Sequence, residues 1–268
     1  MCLLVLAWKV HPRYQLVVAA NRDEYHDRPS APLGRWPSPA EILAGRDLRA
    51  GGTWLGIDRR RRFGIVTNFR DLMGAPPQAP SRGGLIPGYL GGTAAPDDYL
   101  AALAPEAAAY GGFNLLLADG QSIWYGSNRN TPFARALSPG IHGLSNERLD
   151  TPWPKLLRVR RGFEAWLRGD GSVDDAELFA LLADRTQAAA DGLPTTGISP
   201  EWERTLSSPF VLNPSYGTRC STLVAIEPAG ACFIAERRFD PSGICSGETE
   251  YRLGSGDWPS TLEVPGRL

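Results

Sequence analysis

The sequence predicts an α+β fold in which antiparallel sheets are covered by helices. Two observations support this prediction. Short apolar runs rich in Leu and Val come in pairs separated by turn-forming residues, and amphipathic segments with helical spacing lie between these pairs. Hairpins interspersed with helices are typical of layered α+β proteins. Because the 268 residues contain no internal repeat and no obvious linker, we expect residues 1–268 to form a single domain.

Paired apolar runs account for the predicted strands. The pairs are 2–8 with 14–20, 53–57 with 63–67, 113–118 with 122–125, and 221–226 with 231–236. Asp119-Gly120 separates the third pair and is a strong hairpin signal. The arginine run at 59–62 lies at the tip of the second hairpin. Such a run can bind phosphate, but a solvated hairpin tip is favoured.

Helical patterns follow in three other segments. Residues 97–109 are rich in alanine, and residues 173–185 are amphipathic. The clearest helix covers 152–168, because Asp150 or Thr151 can cap it and Pro152 suits its first turn. Its apolar face is formed by Leu156, Val159, Phe163, Trp166 and Leu167. Residues 192–217 show little periodicity and are predicted to form a long loop, of a length that is usually functional or disordered.

Composition argues against several classes of function. The net charge of −1 gives no general attraction to nucleic acid or anionic membrane, and no apolar run approaches the ~20 residues of a membrane-spanning helix. The first apolar run lacks the basic region and cleavage site of a signal peptide. We therefore expect a cytoplasmic protein without a nucleic-acid partner or membrane span, and the oligomeric state is left open. The scattered cysteines and histidines predict neither a structural metal site nor a disulfide framework.

Cys2 differs from the other cysteines in its position. A small second residue allows aminopeptidases to remove Met1, so we expect the mature chain to begin with Cys2. A terminal cysteine combines a thiol with a pKa near ~8.5 and an α-amine with a pKa near ~7.7–8.0, so the amine can accept the thiol proton. A cysteine at position 2 also occurs by chance, and its position alone does not identify a nucleophile.

Polar residues end several of the predicted strands. Arg22 follows the second apolar run and would lower the pKa of a nearby Cys2 thiol, while Asp23 or Glu24 could hold the amine. A polar turn is the alternative interpretation of this stretch. Asn68 and Asn146 could donate hydrogen bonds to a developing oxyanion, or could simply cap turns. Arg219 begins the last strand pair, where a surface arginine is the alternative.

Taken together, these residues lie in motifs that resemble the NRDE family, which is also called the transport and Golgi organisation protein 2 family. The motifs are Met1-Cys2, Ala20-Asn21-Arg22-Asp23-Glu24-Tyr25 with Arg28-Pro29, Gly51-Gly52-Thr53-Trp54-Leu55-Gly56, Thr67-Asn68, Gly112-Phe113-Asn114-Leu115, Gly143-Leu144-Ser145-Asn146 with Thr151-Pro152-Trp153, and Tyr216-Gly217-Thr218-Arg219. They follow the family's order and span nearly the whole chain. The pattern is in turn similar to cysteine N-terminal-nucleophile hydrolases such as bile salt hydrolase, penicillin V acylase and acid ceramidase. This resemblance implies a four-layer αββα sandwich.

The resemblance also implies a set of catalytic residues. They are Cys2, Arg22, Asp23, Asn68, Asn146 and Arg219. In the hydrolases two residues separate the arginine from the aspartate, whereas Arg22 and Asp23 are adjacent here. Because side chains alternate along a strand, Glu24 is the alternative carboxylate on the face of Arg22.

Three functions follow from these implied residues. The first is hydrolysis of a non-peptide C–N (amide) bond in a small molecule, with Cys2 as nucleophile and with no cofactor or metal required. The second is non-catalytic binding or trafficking of haem or an acyl-CoA-like lipid in the same cleft, since the NRDE family is associated with both ligands. The third is an interaction protein with an idle pocket, because a fold does not determine a function.

Overall fold

The computed structural model describes residues 2–37, 41–70, 74–169 and 175–259. The strands in these residues are β1 (Cys2–Trp8), β2 (Leu16–Tyr25), β3 (Ser30–Arg35), β4 (Ile42–Asp47), β5 (Leu55–Asp58), β6 (Phe63–Asn68), β7 (Phe113–Ala118), β8 (Ile123–Ser127), β9 (Ala134–Ala136), β10 (Gly140–Leu144), β11 (Tyr216–Ile226), β12 (Cys232–Phe239) and β13 (Cys245–Leu253). The helices are α1 (Leu85–Leu90), α2 (Pro96–Leu103), α3 (Pro154–Leu167), α4 (Asp175–Leu182) and α5 (Pro200–Thr205), with 3₁₀ turns at Arg82–Gly84, Ala104–Ala109 and Ala190–Gly192.

The strands form two antiparallel sheets. The first is six-stranded in the order β10-β1-β2-β11-β12-β13, and the second is seven-stranded and follows the chain order from β3 to β9. All of the strand pairings are antiparallel. The predicted α+β class with antiparallel sheets is therefore confirmed. Since β1 lies between β10 and β2, Cys2 begins an interior strand.

Alternating side chains divide β1 between two apolar clusters. Leu4 and Leu6 pack into a cluster that contains residues of both sheets, whereas Leu3 and Val5 pack with residues of α3 and α4. A third cluster joins the other face of the seven-stranded sheet to α1 and α2. Because side chains alternate along a strand, Cys2 shares the face of Leu4, between the sheets. The face of the strand on which a site residue lies therefore determines its neighbours.

The predicted strand pairs are neighbours in the structure, as β1–β2, β5–β6, β7–β8 and β11–β12. The second strand continues through Tyr25, so the stretch 21–24 is strand rather than a polar turn. The predicted helix at 152–168 begins at Pro154 with Trp153 as its N-cap, in place of Asp150 or Thr151.

The remaining helical predictions are met in part. The alanine-rich segment is helical to Leu103 and continues as a 3₁₀ turn. Of the segment 173–185, residues 173 and 174 lie outside the described residues, and α4 covers Asp175–Leu182. The predicted long loop contains α5 and the first residues of β11. In the described part of the chain, no helix has both the length and the apolar character needed to cross a bilayer.

The arginine run at 59–62 is only half solvated. Arg59 and Arg60 are exposed, but Arg61 and Arg62 are buried, so the prediction of a solvated tip is wrong for the last two. Arg62 contacts the Asp58 carboxylate at 2.7 Å and donates to backbone carbonyls at the end of α1. Arg61 donates to the carbonyls of residues 230, 254 and 257. These guanidinium donors are engaged by the protein itself, which also argues against a phosphate site.

Candidate active site

A cavity of about 300 Å³ opens at the end of the two sheets where Cys2 lies. The pairing of β1 with β2 places Cys2 directly opposite Arg22. The predicted residues Cys2, Arg22, Asp23, Glu24 and Asn68 all line this cavity. Four of these residues belong to β1 and β2, and Asn68 comes from the end of β6 in the other sheet. Residues of both sheets therefore line the cavity at the start of β1.

Burial controls the electrostatics of the nucleophile candidate. Cys2 is 9% exposed, and burial raises the pKa of its thiol above the ordinary value. The positive N-terminus lowers this pKa, the charge of Asp23 raises it, and Arg22 and a hydrogen bond from the backbone N–H of Asp23 lower it. Arg22 thus lowers the pKa of this thiol as expected, but in the chain that retains Met1 desolvation of the thiolate outweighs all of these attractions.

This burial predicts the order in which the thiols react. Cys245 is exposed, whereas Cys2, Cys220 and Cys232 are buried and burial raises the pKa of each of these three thiols. In the chain that retains Met1, we expect iodoacetamide at pH 7.5 to modify Cys245 roughly ten-fold faster than Cys2. A labelling time course with peptide mapping measures both rates. Faster modification of Cys2 would mean that the nearby cations outweigh its burial.

Arg22 is held against Trp54 beside the thiol. Its guanidinium lies 4.3 Å from the centre of the indole ring and 4.0 Å from the Glu24 carboxylate. Its Nη1 atom is buried and has no hydrogen-bond partner among the described residues. A Cβ at Gly45 would collide with the ring of Trp54, so this glycine leaves room for the indole. Arg22 thus brings an unused donor to the cavity wall.

The two candidate carboxylates lie on opposite faces of β2. Glu24 shares the face of Arg22, as the alternation of side chains predicts. Asp23 is 1% exposed and accepts a 2.8 Å hydrogen bond from the Thr218 hydroxyl. The hydroxyl of Tyr216 donates to the backbone carbonyl of Asp23, also at 2.8 Å. Glu24 is therefore placed to orient Arg22, and Asp23 is a fixed charge beside the start of β1.

The two asparagines contact each other near Cys2. Asn146 is fully buried just after β10, and its Nδ2 donates to the backbone carbonyl of Asn68 at 2.9 Å. The neighbouring Ser145 donates its hydroxyl to the Cys2 carbonyl at 3.3 Å. The Oδ1 atom of Asn146 has no hydrogen-bond partner among the described residues. Asn68 thus lines the cavity, while Asn146 connects the end of β10 to Asn68 and Ser145 connects it to Cys2.

Arg219 lies outside this cavity. It is at an irregularity of β11, where the pairing with β2 shifts between Thr218 and Cys220. Its guanidinium donates to the carbonyls of residues 25, 26 and 28, and so holds the turn between β2 and β3. It lines a neighbouring cavity of about 110 Å³ together with Trp54 and Glu236. Arg219 therefore shares this second cavity with Trp54, but it does not line the cavity that contains the Cys2 thiol.

Lys155 is a buried residue near this site that the sequence analysis did not select. It is 1% exposed, in the first turn of α3, and its electrostatic neighbours include Asp23 and Cys2. The signal was present, because Lys155 precedes Val159 by four residues on the apolar stripe of the helix. In the described ranges, no group of three or more His, Cys, Asp or Glu side chains could hold a metal ion.

Comparison with known proteins gives one consistent family. A family model described as Transport and Golgi organisation 2 matches residues 1–241. A Transport and Golgi organization protein 2 homolog of Bos taurus is 34% identical, covering 95% of this chain and 100% of its own. The Homo sapiens homolog is 32% identical with the same coverage. The Drosophila melanogaster Transport and Golgi organization protein 2 is 27% identical over 91% of this chain and 95% of its own.

Proposed function

The chain belongs to the Transport and Golgi organisation 2 family, and we propose that it is an N-terminal-nucleophile amidohydrolase that cleaves a non-peptide C–N bond with Cys2. The observation that carries this proposal is the position of Cys2, at the first residue of an interior strand and on the wall of a polar cavity shared with Arg22 and Asn68. We also propose that the two sheets and the helices packed on them are the four-layer αββα sandwich of such hydrolases.

The reaction begins in the chain that has lost Met1. The α-amine of Cys2 takes the proton of Sγ, and the thiolate attacks the carbonyl carbon of the amide. The C–N bond breaks, the leaving amine takes the proton from the α-ammonium, and a thioester to Cys2 remains. Water then hydrolyses the thioester and frees the thiol. The backbone N–H of Asp23 supports the thiolate, and the Asp23 carboxylate can hold the α-ammonium. No cofactor is required.

Arg22 offers an unused hydrogen-bond donor for the oxyanion that forms when the thiolate attacks the carbonyl. Nη1 of Arg22 is buried and unpartnered among the described residues, so a negatively charged oxygen beside the thiol would satisfy it. The side chain of Asn68 is the second proposed donor, since it lines the same cavity. Asn146, whose Nδ2 is engaged with the Asn68 carbonyl, has the role of holding Asn68 in position. Arg219 supports the turn that follows β2.

Detection of an acyl-enzyme tests this function directly. We expect intact-mass spectrometry to show one acyl adduct when the Met1-free protein is mixed with activated acyl amides, and peptide mapping to place the adduct on Cys2. Cys2→Ala should give no adduct, whereas Cys245→Ala should react like the wild type because this exposed thiol is outside the cavity. Adducts on Cys245 alone, or none on the Met1-free chain, would contradict the proposal.

Binding of an anionic lipid such as an acyl-CoA is the second candidate function. Arg22, Arg28 and Arg82 all line the cavity and could face the charged part of such a ligand. Haem has less support, because none of the three histidines lines this cavity and, among the described residues that line it, Cys2 is the single soft ligand. Tight acyl-CoA binding by wild type and Cys2→Ala alike, without any adduct, would favour this carrier function.

A further inference from the structure

Lys155 occupies a position where an apolar residue is expected. It lies on the stripe of α3 that also carries Val159, Phe163 and Trp166, and this stripe packs against the outer face of the six-stranded sheet. Its Nζ atom is buried and has no hydrogen-bond partner among the described residues. Burial of an ammonium without partners is strongly destabilising unless a nearby charge compensates for it. The lysine therefore calls for an explanation other than packing.

Two of the charged groups that act on Lys155, Asp23 and Cys2, belong to the candidate active site. Burial lowers the pKa of Lys155 to about 8, the charges of Asp23 and Cys2 raise it, and Arg70 lowers it. Arg70 contacts Glu203 at 2.8 Å, and both side chains of that pair are buried, so Arg70 has its own counter-ion. Asp23 acts on Arg70 as well, but it is the carboxylate among the charged groups that act on Lys155.

Hydrogen bonds hold both the side chain and the backbone carbonyl of Asp23 in place. Its carboxylate is fixed by Thr218, its carbonyl by Tyr216, and it is 1% exposed. Burial and the neighbouring charge of Asp23 raise the pKa of Tyr216 well above the ordinary value, so this phenol is a neutral donor. A fixed carboxylate next to an α-amine stabilises its charged, non-basic form. A second cation in the same cluster would counteract that effect.

We propose that Lys155 is a positioning residue of the Cys2 site: its buried ammonium balances the Asp23 carboxylate and keeps the α-amine of Cys2 neutral in the Met1-free chain. This inference rests on the proposed function, in which that amine is the base. This amine belongs to Cys2, which interacts electrostatically with both Asp23 and Lys155, and the repulsion between two cations in a desolvated site favours release of the amine's proton. Lys155 itself neither touches the substrate nor transfers a proton.

The test measures protonation of the amine, not turnover. The Met1-free protein is prepared by cleaving an N-terminal fusion immediately before Cys2, and the α-amine is labelled with trace acetic anhydride between pH 5 and pH 10. We expect Lys155→Met to raise the midpoint of this profile by about one pH unit, which slows labelling at pH 7 about ten-fold. Asp23→Asn should move the midpoint in the opposite direction.

Two controls separate this role from a structural one. An unchanged midpoint in a folded Lys155→Met protein, even with altered thermal stability, would overturn the proposal. If Lys155→Met does not fold, Asp23→Asn is compared with the double variant Asp23→Asn/Lys155→Met, which has no unbalanced charge. We expect the double variant to have the higher midpoint, and equal midpoints would overturn the proposal. Because labelling requires no substrate, failure of the hydrolase proposal would be seen separately, as absence of an acyl adduct.

Discussion

Cys2→Ala in the Met1-free chain is expected to abolish amide hydrolysis. Removal of the nucleophile from a comparable hydrolytic site lowers kcat by ~10⁶-fold, so turnover should fall below detection. The fold should persist, because the substitution removes a single sulfur atom beside a cavity, at a cost of roughly 1 kcal/mol in the free energy of unfolding. Initial rates on an acyl-amide panel and thermal unfolding curves measure both effects.

Two further variants make this experiment decisive. Cys2→Ser should retain at most a slow residual rate, because a hydroxyl is a much weaker nucleophile than a thiol. A chain that retains Met1 should also be inactive, because its α-amine belongs to residue 1 and Cys2 then has only an amide nitrogen. Wild-type rates for Cys2→Ala would refute Cys2 as nucleophile. Wild-type rates for the Met1-retaining chain would refute only the amine as base.

Each strand that the sequence predicted has a largely buried apolar run. All seven side chains of β1 are buried, and β7 and the second half of β11 are equally apolar, so their runs stand out. By contrast, β13 is mostly polar and has no fully buried residue, and β10 is Gly-Ile-His-Gly-Leu, which lacks a clear period. Both are edge strands of the six-stranded sheet. Such strands form because they pair with a neighbouring strand. A pairing partner that is distant in sequence leaves no signal in the strand's own residues.

The site shows the same division between local and distant information. Alternation along β2 was sufficient to predict that Glu24 shares a face with Arg22. Asn146 and Asn68 contact each other although they are 78 positions apart, and only the family resemblance had assigned both of them to one site. Arg22 lowers the pKa of the Cys2 thiol as the sequence predicts, but burial raises it more, and the depth of burial is not evident from the sequence. Lys155 was overlooked because a single charge within an apolar stripe was not distinguished from the exposed face.

Arg62→Ala is expected to cause a large loss of stability, unlike other changes in the same arginine run. Arg62 and Asp58 form a buried pair with side-chain exposures of 8% and 5%. Arg62 also donates to the carbonyls of Leu90 and Gly92 at 2.7 Å, and so attaches the end of α1 to the hairpin. Its removal leaves the Asp58 carboxylate buried without its counter-ion, which costs ~3–5 kcal/mol in the free energy of unfolding. Urea denaturation measures this loss.

Arg59→Ala is the matched control for this prediction. Arg59 lies in the same hairpin, and its side chain is 57% exposed and pairs with Glu41 at 3.3 Å in solvent. An exposed pair of this kind contributes ~0–1 kcal/mol, so the control should unfold almost like the wild type. Arg62→Ala/Asp58→Asn should recover part of the loss, because it removes the uncompensated charge but not the missing contacts to α1. Equal stabilities of Arg62→Ala and Arg59→Ala would show that the buried pair does not stabilise the fold.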